Sequence, residues 1–176
     1  MKHLICILTI MTLQSPLKIF DFSSNSDIKN WRIINDTVMG GESFGLIKIT
    51  PNGHAKFTGS VSTANNGGFS SLRYNFNKSN VNKFSKIVLK IKGDNKNYQF
   101  RIKHKVSDYY SYITSFPTNG EWQEIELPLK DFYPSFRGRK IAKNNFEEDS
   151  IEHIAFLIGN KKNEKFELLV DNITLK

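Results

Sequence analysis

This sequence predicts an all-β fold, an antiparallel jelly-roll β-sandwich of two packed sheets, and three observations carry the prediction. Isoleucine (19), valine (6) and phenylalanine (14) far outnumber alanine (4), a balance that favours strands over helices. From Leu17 onward no segment sustains a helical period. Turn signals return roughly every eight to twelve residues, the rhythm of a sandwich or barrel.

In chain order, strands are expected at Leu17–Phe22, Trp31–Ile34, Phe44–Thr50, Ala55–Val61 and Phe69–Phe76. Six more follow at Lys86–Lys92, Tyr98–Val106, Tyr110–Phe116, Trp122–Leu127, Glu152–Ile158 and Phe166–Leu175. Pro51-Asn52-Gly53 supplies a tight turn between the third and fourth, and Asn119-Gly120 another before Trp122. Lys86–Val106 reads as a hairpin with one buried and one wet face. Ile87, Leu89 and Ile91 point inward, as do Tyr98, Phe100, Ile102 and Val106 on the return strand. Tyr133–Ser150 is the least regular stretch, a long loop or one helical turn.

The length of 176 residues suggests one domain, placed at 17–175. Before it, residues 1–15 have the outline of a short secretory leader: Lys2 and His3, then an apolar run from Leu4 to Leu13. That run is too short to span a bilayer. Its end lacks a small-x-small cleavage pair, and a start at Met11 would leave a cytoplasmic protein; export to a periplasm stays narrowly ahead. Cys6 stands alone, so the chain offers neither a disulfide framework nor a cysteine zinc site.

Net charge is +8, but lysines outnumber arginines 20 to 5 and asparagine reaches 18. Such a bias looks like the base composition of a source genome rather than a nucleic-acid footprint, since dedicated phosphate and base readers favour the bidentate fork of Arg. One local concentration exists: Lys86, Lys90, Lys92, Arg101, Lys103 and Lys105 would share the wet face of the hairpin. They would attract phosphates in a salt-dependent way, but no aromatic residue shares the face to stack bases.

Catalytic motifs mostly fail. Gly41-Glu42-Ser43-Phe44-Gly45 matches the nucleophile elbow Gly-x-Ser-x-Gly, which needs a strand turning sharply into a helix. Here another strand follows. His3, His54, His104 and His153 are isolated, without a metal-ligand spacing, and Glu147-Glu148-Asp149 reads as a solvated run. No enzyme, cofactor or metal site is expected. The segments Asn35–Ser43 and Asn65–Arg73 carry consecutive glycines that allow close backbone approach. They are expected to act as turns capping the sheet ends or to meet and build a polar surface. In the latter case Asp36 would pair with Arg73.

At these segments the sequence resembles the complex I intermediate-associated protein 30 family. The resemblance rests first on Trp31 with Asn35-Asp36-Thr37-Val38-Met39-Gly40-Gly41 and Ser43, and on Phe57-x-Gly59. It continues through Asn65-Asn66-Gly67-Gly68-Phe69-Ser70-Ser71 with Arg73, Gly93-Asp94 with Tyr98, and Trp122. Leu127-Pro128-Leu129 with Asp131-Phe132, Phe136-Arg137-Gly138-Arg139 and the final strand segments Ile154–Ile158 and Phe166–Ile173 complete it. The resemblance implies a galactose-binding-like sandwich and a non-enzymatic assembly-factor or chaperone role toward respiratory complex I. The chain has no Arg- and Ser-rich mitochondrial presequence and its composition looks bacterial, so the fold transfers more directly than the job.

The foremost expectation is therefore a partner polypeptide, such as a respiratory-complex subunit, with Arg137 and Arg139 as anchors. The binding residues expected are Asp36, Met39, Gly40, Gly41, Ser43, Asn65, Asn66, Gly67, Gly68, Phe69, Arg73, Arg137 and Arg139. Carbohydrate binding through Trp31, Tyr109 or Trp122 is the alternative, although both tryptophans read as core. Nucleic acid comes third.

Overall fold

The structure, a computed structural model, describes residues 15–176. The leader-like segment and the start at Met11 fall outside the described residues, apart from Ser15. In chain order the strands are β1 (Leu17–Asp21), β2 (Trp31–Asn35), β3 (Phe44–Ile49), β4 (Ala55–Val61), β5 (Ser70–Asn80), β6 (Lys86–Lys92) and β7 (Asn97–Lys103). There follow β8 (Ser111–Pro117), β9 (Trp122–Pro128), β10 (Tyr133–Phe136), β11 (Arg139–Lys140), β12 (Ser150–Ile158) and β13 (Glu164–Leu175). Short 3-10 turns at Asp36–Met39, Ala64–Asn66 and Leu129–Asp131 are the helical elements of the described residues. No described helix is long and apolar enough to cross a membrane.

The strands form two antiparallel sheets. The first has six strands, in the order β3-β4-β13-β6-β9, with β1 also paired to β13. The second has seven, in the order β11-β10-β8-β7-β12-β5-β2. Alternation along the strands faces Phe57, Leu89, Ile91 and Leu168 of the first sheet toward Leu72, Phe100, Ile154 and Phe156 of the second, all fully shielded from water. Phe100 meets Phe156 edge-on at 5.0 Å, and Phe57 meets Phe166 at 4.7 Å. Each such phenylalanine contributes roughly 2–3 kcal/mol by leaving water. Trp31 is buried, stacked on Tyr74 at 4.8 Å, in agreement with its reading as core.

Two expectations need correction. Lys86–Val106 is not a hairpin: β6 pairs with β13 and β9, whereas β7 pairs with β12 and β8 in the other sheet. Both strands do bury their apolar faces, but from opposite sides of the core. Val106, expected to point inward, lies past the end of β7 and is exposed. Periodicity reports which face is buried and not which strand lies alongside. The chain crosses between the sheets at Gly93-Asp94. There the Asp94 carboxylate accepts from the Tyr98 hydroxyl (2.8 Å), Lys96 Nζ (2.7 Å) and the Glu167 N–H (2.9 Å). Lys86, Lys90 and Lys92 consequently lie on the outside of the first sheet, Arg101 and Lys103 on the outside of the second. Lys86 pairs with Glu126 and Lys90 with Asp171, at 2.7 and 2.9 Å.

The second correction lies in the stretch read as irregular. Tyr133–Phe136 and Arg139–Lys140 form a small hairpin that extends the second sheet beyond β8. Its turn, Arg137-Gly138, holds both residues at positive φ, 48° and 77°, the left-handed pair that suits a two-residue hairpin.

Candidate functional site

The two glycine-bearing loops do meet, and they meet on Asp36. Its side chain is buried, with 1% of its surface exposed. One carboxylate oxygen accepts from the Ser43 N–H at 2.9 Å. The other accepts from the Ser43 hydroxyl, the Gly68 N–H at 2.5 Å and the Phe69 N–H at 3.1 Å. Burial opposes ionisation, but the hydroxyl and the three N–H donors outweigh it and hold the carboxyl below its ordinary value. A Cβ on Gly41 would lie 2.3 Å from Asp36 Cγ, and one on Gly67 would lie 2.6 Å from Asp36 Oδ2. These glycines let two chain segments close around one carboxylate.

This cluster is an internal tie at one end of the sandwich. Arg73 is not the partner of Asp36. It lies on β5 opposite Arg32 and Ala155, and its Nε donates to Ser71 Oγ at 3.3 Å. Ser43 is 2% exposed and commits its hydroxyl to Asp36, and β3 rather than a helix follows it, so the elbow geometry is absent. Asn65 and Asn66 are exposed at φ 53° and 59°, and Gly40 and Gly68 also take positive φ. The side chain of Met39 lies outside the described residues. Arg137 and Arg139 are exposed far along the chain from this tie, with the Arg137 guanidinium 5.3 Å from the centre of the Phe136 ring. Phe136 packs against Tyr109, which is 67% exposed. Trp122, expected in the core, is 39% exposed beside His54 at 4.6 Å.

A different constellation stands on the outer face of the second sheet. Register aligns Arg32, Arg73, Ala155, Arg101, Ile113 and Tyr133 in one row across β2, β5, β12, β7, β8 and β10. The neighbouring row carries Asn75, His153 and Lys103. Arg32, Arg73, Asn75, Lys103 and His153 border a shallow pocket of about 210 Å³. No ion pair among the described residues uses an arginine. Arg101 rests on Gln99 Oε1 at 2.6 and 3.1 Å, and Lys103 Nζ donates to the Asp108 carbonyl at 2.5 Å.

The electrostatics follow from this crowding. Burial, then the charge of Arg73, pushes Arg101 down to about 10. Lys103 is lowered by burial and by Arg73, with Asp108 pulling the other way, and Arg73 is lowered by burial. His153, whose Nδ1 donates to Asn75 Oδ1 at 2.6 Å, is held down to about 3 by burial and then by Lys103, Arg73 and Arg101. Chemically, this is a half-buried cationic surface with guanidinium donors left over and a neutral imidazole beside them. It can hold an anion. It has no activated nucleophile, and no described group of three His, Cys, Asp or Glu side chains could hold a metal ion.

Of this constellation the sequence shows Arg73, through its motif, the outward direction of Arg101 and Lys103, and His153 as an isolated histidine. Arg32 and Asn75 go unread. The outward parity of positions 32, 73 and 101 was available within strands already assigned; the order of those strands in the sheet was not.

The profile of the family described as complex I intermediate-associated protein 30 matches residues 20–170. The mitochondrial complex I intermediate-associated protein 30 of Mus musculus is 22% identical over 183 aligned residues, covering 88% of this chain and 54% of that protein. The chain thus spans about half the length of that relative. Among solved structures, a family 11 carbohydrate-binding module from Clostridium thermocellum, in complex with a β-1,3-1,4-mixed-linked tetrasaccharide, superposes with a TM-score of 0.68 at 21% identity. The match covers 93% of this chain and 96% of the module. A family 30 carbohydrate-binding module gives 0.57 at 14% identity, covering 93% and 99%. These likenesses show the galactose-binding-like sandwich fold.

Proposed function

Because the chain belongs to the complex I intermediate-associated protein 30 family, we propose that it is a non-catalytic, chaperone-like binding module. It would hold a partner polypeptide, such as a respiratory-complex subunit, during assembly. The observation that carries this reading is the outer face of the second sheet. Arg32, which is exposed, and Arg73 and Arg101, which are half-buried, stand there without ion-paired carboxylates, and arginine is enriched among the anchors of protein interfaces. The exposed Tyr109–Phe136 pair with Arg137 and Arg139 adds a second contact at the β10–β11 hairpin. Affinity capture with the tagged full chain from the native membrane fraction tests the reading. Recovery of respiratory subunits, lost when Arg73 and Arg101 are both changed to Gln, supports it; their consistent absence overturns it.

The fold likeness and the exposed Trp122 favour a second reading, a carbohydrate-binding module. Sugar binding wants aromatic platforms beside polar groups, and the centre of the cationic face is instead floored by Ala155, Ile113 and Leu157, all buried beneath the longer side chains. A glycan array without hits would remove this reading. Nucleic-acid binding loses its ground, since the cations of the expected hairpin divide between the outsides of two sheets.

A further inference from the structure

We infer that the outer face of the second sheet is an oxyanion site for an acidic polypeptide segment, with a carboxylate seated between Arg73 and Arg101 above Ala155. The inference rests on the reading of this face as the contact surface and names the chemistry of what docks there. Arg73 and Arg101 belong to one row with a single strand between them. Strands lie about 4.8 Å apart, so their Cα atoms are separated by roughly 10 Å, within reach of two guanidinium groups converging over one anion. Ala155 between them carries only a methyl group and is itself shielded, 1% exposed, so the anion would rest on the two guanidiniums rather than on the strand.

Both guanidiniums are held by neutral acceptors two residues back on their own strands. Ser71 Oγ takes Arg73 Nε, and Gln99 Oε1 takes Arg101 Nε and Nη2, so donors on each side remain available. Lys103 is likewise tied to a carbonyl rather than a carboxylate. Like charges gathered on half-buried side chains, with no ion-paired carboxylate on either arginine, repel one another in the free protein, and an incoming carboxylate relieves that repulsion. Bidentate pairing of Arg with a carboxylate then sets direction.

The spacing favours an extended peptide. Arg32 is the direct cross-strand neighbour of Arg73, so the row presents cations at intervals of roughly 5 and 10 Å. Same-side residues of an extended peptide recur about every 6.8 Å, which lets alternate acidic side chains fall along the row. Single-stranded nucleic acid would want aromatic rings between the cations; the row places Ala155 and Ile113 there, with Tyr133 only at its end.

Isothermal titration of the full chain with a hexaglutamate peptide tests the site, with hexaglutamine, oligothymidylate and oligogalacturonate as competing probes. The expected result is binding of hexaglutamate at least tenfold tighter than of the other three, weakening as salt rises. Arg101→Gln is expected to lower that affinity about tenfold, and Lys48→Gln, exposed on β3 of the other sheet, to leave it within twofold. Arg101→Gln should melt no lower than the parent, since it removes a repelled charge, which separates lost binding from lost folding. Absence of hexaglutamate binding at low salt, tighter binding of the nucleotide or the glycan, or an unchanged affinity in Arg101→Gln overturns the inference. Capture of respiratory subunits that survives the Arg73→Gln/Arg101→Gln change sinks this site alone. Hexaglutamate binding without any captured subunit sinks the assembly role alone.

Discussion

Replacing Asp36 by Asn should cost far more stability than such an isosteric change usually does. The carboxylate accepts from four donors: the Ser43 N–H, the Ser43 hydroxyl, and the Gly68 and Phe69 N–H groups. An amide has one acceptor oxygen. If it keeps the Ser43 N–H, its own NH2 faces Gly68 and Phe69, donor against donor, while the Ser43 hydroxyl can turn and accept. Two N–H groups are left without partners at about 1–2 kcal/mol each, so the loss is about 3 kcal/mol. With a urea slope of about 2 kcal/mol/M, the unfolding midpoint falls by about 1.5 M. Equilibrium urea unfolding of parent and variant measures it directly.

Acid supplies a second arm of the same test. Asp36 titrates below its ordinary 3.8 in the folded chain, so its contribution is fully present above that pH and is lost as pH falls through the lower folded value. The amide carries no such dependence, so the gap between parent and Asp36→Asn should narrow below about pH 4. A loss under about 1 kcal/mol at neutral pH, or a gap that stays constant into acid, refutes the role given to this carboxylate.

Gly41→Ala should lower the melting temperature by about 5–10 °C, because its Cβ would fall 2.3 Å from Asp36 Cγ, and it should cost less in an Asp36→Ala background. Equal costs in both backgrounds would show that the clash lies elsewhere. The ring resonances of His153 should not titrate between pH 7.5 and 5 by NMR, since burial and three cations hold it down to about 3. Its unfolded value is the higher one, so its contribution to stability is complete above about pH 6.5 and is lost toward pH 3; a titration midpoint near 6 would contradict this. A fluorophosphonate probe should leave Ser43 unmodified in the folded chain, and covalent labelling there would overturn its assignment to the Asp36 tie.

Strand positions are legible because alternation needs only the next few residues. Ala55–Val61 and Lys86–Lys92 coincide with β4 and β6, and Ile87, Leu89 and Ile91 face the core as read. The two glycine loops are legible as turns at the sheet ends, their meeting being one of two readings left open. In the fold they do meet, with Asp36 turned inward to unite them rather than outward to Arg73. Trp122 could have been placed outside: it shares parity with Glu124 and Glu126, while Ile125 and Leu127 take the inner side. The hairpin at β10–β11 hides behind Pro134 and Gly138, which act locally as breakers. The cationic row hides for a deeper reason. It depends on β5, β12 and β7 lying side by side, and strands so distant in sequence leave no short-range trace of their adjacency.

Strand β13 pairs with β1, β4 and β6, so half of the first sheet hangs on the strand that is synthesised after all the others described. During translation β4 and β6 must wait with unsatisfied edges until Glu164–Leu175 emerges. A chain so arranged folds late and as a whole, on the slower timescale of long-range β pairing, and offers sticky edges meanwhile. Shielding of the nascent chain would then bear on how much of this protein a cell recovers folded.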